Sequence, residues 1–326
     1  MDFGRRDFLT LGAGALLAAE LPLTAEAKRD PLAPLKPLKV ENFVIKVGAS
    51  KPFGAIQVSD THIVRVDKRD DERKMKLAAG RSFTPFAEHY LDEAIHLAKA
   101  NGDLLLHTGD LIDFVSAANL DLVEAHFAGN DWFVNAGNHE FSKYVGEAKE
   151  DEAYKRDSYD RVQSAYPNDL TFCSRVVNGV NFVSLDDVYY NVTEKQHQLF
   201  IKEVEKGLPI VMMCHVPLYG PKLYDFVMSH TDNKCAYVTG APLELTSTYQ
   251  GGKNPPPGEE WRSRAVQQRT DKPTADFIKW LKEQKLLKAI LCGHLHYFFQ
   301  ERFSPTAVQY VCSATFKGHA QSLRFT

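Results

Sequence analysis

Asp60-x-His62, Asp110 with Asp113, Asn138-His139, His215 and His294-x-His296 are the residues of this chain whose types and spacing could do chemistry. Carboxylates, one amide and several imidazoles, with Cys214 and Cys292 the only thiols beside them, form a donor set suited to Mn²⁺, Fe or Zn²⁺. Calcium would call for more oxygen donors. Taken singly, each has a plain meaning: Gly109-Asp110 is a turn, and a lone His at a strand end is a hydrogen-bonded structural residue. Together they repeat one layout, because each set follows directly on a short apolar run.

The elements that must position them are therefore strands. Leu104-Leu105-Leu106, closed by Thr108-Gly109, reads as a buried strand of a parallel sheet, and ligands of open α/β sheets sit at the carboxyl ends of such strands. The same layout recurs at 53–58 before Asp60, 132–134 before Asn138, 210–213 before His215 and 287–291 before His294. A sheet aligns the carboxyl ends of its parallel strands along one rim, so the five endings are expected to converge. Within Asp60-x-His62 and His294-x-His296, extended backbone would turn both side chains to the same side.

Between these strands the pattern predicts a lead-in over 28–37, a strand over 40–47 and a solvated loop or helix face over 67–76. Phe86, Tyr90, Leu91, Ile95 and Ala98 recur at helical spacing over 85–100, closed by Asn101-Gly102. Further helices are predicted over 120–127, 146–164 and 275–283. Asn178-Gly179 marks a hairpin between 171–177 and 180–185, and Thr193 with Gln196 forms a capping box opening a helix to about 206. The tail, 297–326, reads as closing strands. The 217–274 segment, with Pro255-Pro256-Pro257 and Trp261, shows little periodicity and is expected to form a rim over the site.

Asp60-x-His62, Gly109-Asp110-x-x-Asp113, Gly137-Asn138-His139-Glu140, His215 and Gly293-His294-x-His296 resemble, in number, order and spacing, the signature of the calcineurin-like metallophosphoesterases. The resemblance runs from 53 to about 312. It implies an α/β fold, a four-layer α/β/β/α sandwich of two mixed sheets flanked by helices, with the phosphoesterase domain over 53–326. It also implies a dinuclear metal centre: Asp60, His62 and His296 on one divalent ion, Asn138, His215 and His294 on the other, and Asp110 bridging. Purple acid phosphatases differ, having Tyr where this chain has Asp113.

The implied reaction is hydrolysis of a small-molecule phosphate ester by a hydroxide activated between the two ions. Two ions bring four positive charges, Asp60 and Asp110 return two and a hydroxide one, so the site stays positive and suits a phosphoryl group. His139, beside Asn138, is placed to protonate the departing alkoxide as general acid, with Asp113 orienting it. The length of 217–274 favours a diester slightly over a monoester. The competing reading is a non-catalytic metal-binding or scaffold protein on the same fold, whose usual sign, a missing ligand or acid, is not found. A serine hydrolase lacks its G-x-S-x-G elbow. His89, His96, His107, His126, His197, His230 and His319 match no motif and are read as structural or surface residues, and Glu140 as support for its loop. Tyr189, Tyr190, Tyr219, Tyr224 and Trp261 carry no assignment.

The composition fits this picture. The chain has 326 residues, 44% hydrophobic and 25% charged, enough for a sizeable core. A net charge of -3 gives no reason to expect nucleic acid as a partner. Five cysteines, an odd number without a CxxC pair, argue against a disulfide framework and against a structural zinc site, and Cys214 and Cys292 read as buried small hydrophobes.

Arg5-Arg6 precede a weakly apolar stretch diluted by Gly12 and Gly14, and Ala25-Glu26-Ala27 then supplies a small-x-small cleavage site. The layout of 1–27 resembles a twin-arginine signal peptide, too short to span a bilayer. It implies export by the twin-arginine machinery to a periplasmic or secreted location, with no stable membrane anchor after cleavage. N-terminal sequencing of the exported protein is expected to return a chain beginning near Lys28; an intact Met1 would refute the signal.

Overall fold

The computed structural model describes residues 35–81, 84–127, 132–145, 151–232, 234–250 and 263–326. The 1–27 segment expected to be a signal peptide, most of the lead-in, the triple proline and Trp261 lie outside the described residues. In chain order, strands β1 (Lys39–Ile45), β2 (Phe53–Val58), β3 (Leu104–Thr108) and β4 (Phe133–Asn135) come first. Strands β5 (Phe172–Val177), β6 (Val180–Leu185), β7 (Ile210–Met213), β8 (Leu287–Cys292), β9 (Phe299–Arg302) and β10 (Val308–Val311) follow, and β11 (His319–Phe325) closes the chain.

They form two mixed sheets, ordered β1-β11-β2-β3-β4 and β5-β6-β7-β8-β10-β9. In the first, β2, β3 and β4 run parallel while β11 opposes β2. In the second, β6, β7, β8 and β10 run parallel, with β5 and β9 antiparallel at the edges. The period-two alternation of each strand sorts its side chains into separate cores. Ala55, Leu106, Val211, Met213 and Leu291 pack between the sheets. Ile56, Val58 and Leu105 face outward from the first sheet, and Met212 and Ile290 from the second.

Helices cover both outer faces, which makes four layers. Helices α1 (Glu72–Ala79), α2 (Ala87–Asn101), α3 (Ala117–Phe127) and α4 (Glu152–Gln163) precede β5; α5 (Glu194–Glu205), α6 (Pro221–His230) and α7 (Lys272–Lys282) accompany the second sheet. Leu91, Ile95, Val123 and Phe127 cover the first sheet; Phe200, Leu223, Phe277 and Leu281 cover the second. The local signals act as their chemistry dictates. Gly102 closes α2 in the left-handed region, Thr193 and Gln196 cap α5 reciprocally, and Asn178 and Gly179, both at positive φ, turn the β5–β6 hairpin. The charged stretch from 67 carries α1, which buries none of its residues.

The 217–274 segment departs from expectation. It is not simply a rim, since α6 lies within it and Leu218, Leu223, Val227 and Val238 join the outer core of the second sheet. The helix was hard to read because it buries only Leu223 and Val227, and because its N-terminus is satisfied from afar. Glu301 accepts the N–H groups of Lys222 and Leu223 at 3.0 and 3.1 Å.

Polar side chains tie the two sheets together at their carboxyl ends. The Gln57 amide donates to the Cys292 carbonyl at 3.2 Å, and Gln321 to Val311 at 2.9 Å. Asn135 Nδ2 donates to the carbonyls of Leu185 and Met213 at 3.2 and 3.1 Å. Asn135→Ala would strip both carbonyls of this partner where no solvent can replace it, and a loss of about 1–3 kcal/mol is expected. A lower urea midpoint at unchanged m-value would show it; an unchanged midpoint would refute the role.

Candidate metal centre

The five strand endings do converge, but from two sheets rather than along the rim of one. Asp60, Asp110 and Asn138 follow β2, β3 and β4 of the first sheet, and His215 and His294 follow β7 and β8 of the second. The loops are zipped to one another: the N–H groups of Asp60, His62 and Ile63 donate to the carbonyls of Gly109, Asp110 and Leu111, each at 2.9 Å. Across the sheets, His215 Nδ1 donates to the Thr108 carbonyl at 2.7 Å, and the His294 N–H reaches the Asp60 carboxylate at 2.9 and 3.1 Å.

The reason for the i, i+2 pairs also differs from expectation. Asp60, His62, Asp110, His294 and His296 have φ between 50 and 69°, so their backbone is left-handed and not extended. Each such residue costs about 1–3 kcal/mol and persists only where its surroundings over-determine it. The conformation still brings Asp60 and His62 to one site, while Thr61 turns away to His107 Nε2 at 2.9 Å. Leu295, between the two histidines, enters the outer core of the second sheet.

Two glycines show how closely the loops press. A Cβ on Gly109, at φ 93°, would stand 2.4 Å from His215 Nδ1, and one on Gly293 would stand 1.7 Å from Ser59 Oγ and 2.6 Å from Asp60 Oδ2. Both precede donors, so the space a side chain would need is taken by the opposing loop.

The donors fall into overlapping groups. Asp60, His62 and His296 present ligand atoms within 4.8 Å of one another, as do Asp110, His215 and His294. Asp110 lies between the groups, its Oδ2 3.6 Å from His62 Nε2 and 3.2 Å from His215 Nε2. A third group joins His62 and Asp110 to His139. Asn138 belongs here as well, because its Oδ1 is buried without a hydrogen-bond partner. A cation would satisfy an amide oxygen in that state, and the converging imidazoles and carboxylates are the donor groups that fit a metal.

Electrostatics sort the groups. Burial would lower both His215 and His139, but Asp110 beside them prevails, with the Asp113 carboxylate assisting at His139, and they rise to about 10 and about 9. Burial, with the charge of His215, pushes His294 down to about 3, and burial pushes His296 down to about 4, leaving neutral imidazoles. Asp110 and Asp113 stay well below the usual carboxylate range: burial opposes this, but the histidines around them prevail.

Several supporting groups carry the donors. Glu140 supports the Asp110 loop: its carboxylate accepts the N–H groups of Gly137, Asp110 and Leu111 at 2.5, 2.9 and 2.7 Å and the Tyr166 hydroxyl at 2.9 Å. Asp113 accepts from His62 Nδ1 at 3.0 Å and lies 3.3 Å from His139 Nδ1, which also meets the Asp113 carbonyl at 2.8 Å. The motifs did not reveal three others. Asp187 accepts the N–H groups of His215 and Val216, both at 3.0 Å, and its signal was an acid at the end of β6, a sixth strand ending of the same kind. The Tyr190 hydroxyl lies 3.2 Å from His294 Nε2, and Arg81 grips Asp113; neither carries a sequence signal.

Of the histidines outside the motifs, His107 is buried against Thr61 and the Gly109 N–H, His197 lies between Phe277 and Trp280, and His319 meets Ser313 Oγ. All five cysteines are free, with Cys214 and Cys292 fully buried.

Among solved structures the chain is similar to a dimetal phosphatase from Danio rerio, with 13% identity, 81% of this chain and 88% of that one covered, and a TM-score of 0.48. It is similar to purple acid phosphatase PPD1 from yellow lupin at 11% identity, covering 81% of this chain and 44% of that one, with a TM-score of 0.44. Phosphopantetheinyl hydrolase from Mycobacterium tuberculosis aligns at 12% identity over 80% and 89% of the two chains, with a TM-score of 0.34. No curated protein matches. The family of calcineurin-like phosphoesterases matches residues 55–298, a span that opens in β2 ahead of Asp60 and reaches beyond His296, and the chain belongs to that family.

Proposed function

We propose that this protein hydrolyses phosphate esters with two divalent cations, Mn, Fe or Zn, held by Asp60, His62 and His296 on one side of Asp110 and by Asn138, His215 and His294 on the other. The observation that carries the proposal is the convergence of Asp60, His62, His215, His294 and His296 from two sheets onto Asp110. Bound there, such cations would supply Lewis-acid charge for phosphoryl oxygens and a water acidic enough to serve as nucleophile at neutral pH.

The chain's own residues do the rest. The hydrogen bonds from His62 Nδ1 to Asp113 and from His215 Nδ1 to Thr108 leave each Nε2 facing Asp110, and at His215, which rises to about 10 beside that carboxylate, a bound cation would take the place of the Nε2 proton. Tyr190 at His294 Nε2 leaves Nδ1 facing His215 at 3.2 Å. His139 is the proton donor to the departing alkoxide: Asp113 holds its Nδ1, and its ring lies 4.5 Å from that of His62, leaving Nε2 for the substrate.

A diester is the favoured substrate. The support is that Tyr237, from the 217–274 segment, brings its ring centre to 6.2 Å from that of His294, so this segment borders the donor cluster. Export by the twin-arginine route is part of the same proposal and rests on the 1–27 segment. Among the described residues no helix is long and apolar enough to cross a membrane.

Chelator-stripped protein is expected to lose hydrolysis of a phosphodiester panel and to regain it on adding Mn²⁺, Fe²⁺ or Zn²⁺. An undiminished rate after complete stripping, verified by elemental analysis, would overturn the proposal. His139→Ala is expected to lower kcat about 10²- to 10⁴-fold on an alkyl ester and much less on a nitrophenyl ester, whose leaving group needs no proton. Equal losses on the two would remove His139 from the acid role.

A further inference from the structure

Arg81 belongs to none of the motifs, yet it ends at the centre of the site. Its Nε donates to Asp113 Oδ2 and its Nη2 to Asp113 Oδ1, both at 2.6 Å, and both side chains are buried. The same carboxylate accepts from His62 Nδ1 at 3.0 Å and stands 3.3 Å from His139 Nδ1, whose nearer acceptor is the Asp113 backbone carbonyl at 2.8 Å, so that at His139 the carboxylate adds its charge and a second, longer contact. One acid therefore joins a guanidinium, a candidate metal ligand and the candidate proton donor.

We infer that Arg81 is a positioning residue for the proposed reaction, its guanidinium fixing the plane of the Asp113 carboxylate so that His62 and His139 both present Nε2 to the centre. This rests on the phosphoesterase reading above. The terminal torsion of an Asp is broad, so a carboxylate shared by two imidazoles needs something to set its orientation. A bidentate guanidinium fork does so, and because Arg is always charged it keeps Asp113 an acceptor for both rings. Lysine could offer charge but not the fork.

The approach of Arg81 is itself anchored to the loop that carries His139. Arg81 follows α1, and α1 is tied to Tyr144, just beyond His139: the Tyr144 hydroxyl donates to Asp71, the N-cap of α1, and the Arg73 guanidinium lies 3.9 Å from the Tyr144 ring centre. Since α1 buries none of its own residues, these attachments and Arg81 help to keep it in place. The alternative is an ion pair that only stabilises the fold, and the two predict different things.

The test compares Arg81→Gln and Arg81→Lys, each checked for folding by thermal melting, with the parent and with His139→Ala. Arg81→Gln is expected to lose about 10- to 100-fold in kcat on an alkyl diester and clearly less on a nitrophenyl diester, with Arg81→Lys in between. In the His139→Ala background the part of the loss specific to the alkyl ester disappears. Calorimetry of Mn²⁺ binding to metal-stripped protein is expected to show affinity weakened about 10-fold or more, through His62. Equal losses on both esters, a full loss persisting without His139, or unchanged Mn²⁺ affinity would overturn the inference. If Arg81→Gln does not fold, Arg81→Lys carries the same comparisons. A parent protein that cleaves neither ester counts against the phosphoesterase reading, and the Mn²⁺ measurement then still tests Arg81.

Discussion

Acceptor atoms facing one another need a positive charge between them, a proton or a cation, and the centre of this molecule is built from that arrangement. His62 Nε2 and His215 Nε2 both address Asp110 Oδ2, at 3.6 and 3.2 Å, while their Nδ1 atoms are committed elsewhere, to Asp113 and Thr108. His62 and His296 bring their Nε2 atoms to 3.2 Å, and Asn138 Oδ1 adds an acceptor with no donor. A proton can relieve one such contact at a time. A cation relieves several together.

The arrangement carries a conformational cost, and much of the surrounding structure serves to hold it. Five donor residues in left-handed backbone leave their loops short of regular pairing. Buried carboxylates supply the missing partners, Glu140 for the N–H groups of the Asp110 loop and Asp187 for those of the His215 loop. Burial pushes both acids up to about 7, so neither is in a comfortable place; each is retained where several N–H groups need an acceptor that the strands no longer provide. Tyr166 on Glu140 and Thr239 on Asp187 extend this support outward.

How much of this could be read from the chain depended on how far each cause lay from its effect. The Asn178-Gly179 turn and the Thr193 to Gln196 cap were legible because both partners lie within four residues. The donors were legible as strand endings, since an apolar run followed by Asp, Asn or His needs no knowledge of what lies opposite. What lay opposite was not legible. Glu301 capping α6, Asp187 beneath His215 and Arg81 on Asp113 are meetings between segments that the sequence keeps apart. The left-handed backbone at Asp60 and His294 was missed because alternation describes a strand and these residues stand just beyond one. Gly109 and Gly293 look like turn residues, but it is the approach of His215 and Ser59 that leaves no room for a side chain.

A single sheet could not have made this centre. Neighbouring parallel strands lie about 4.8 Å apart and end in a row, so their donors would flank a cation from one side only. Here the two groups assigned to cations mix the sheets: Asp60 and His62 of the first meet His296 of the second, and Asp110 of the first meets His215 and His294 of the second, while only the group of His62, Asp110 and His139 comes from one sheet. The donors are therefore as well placed as the packing between the sheets allows, and that packing is set by Ala55, Leu106, Val211 and Leu291 with the amides of Gln57 and Asn135 at its upper edge. A slip of one residue between strands would carry half of each group away while leaving the other half in place. The apolar core between the sheets and the polar centre at its end are in this sense one device, because the first fixes the spacing on which the second depends.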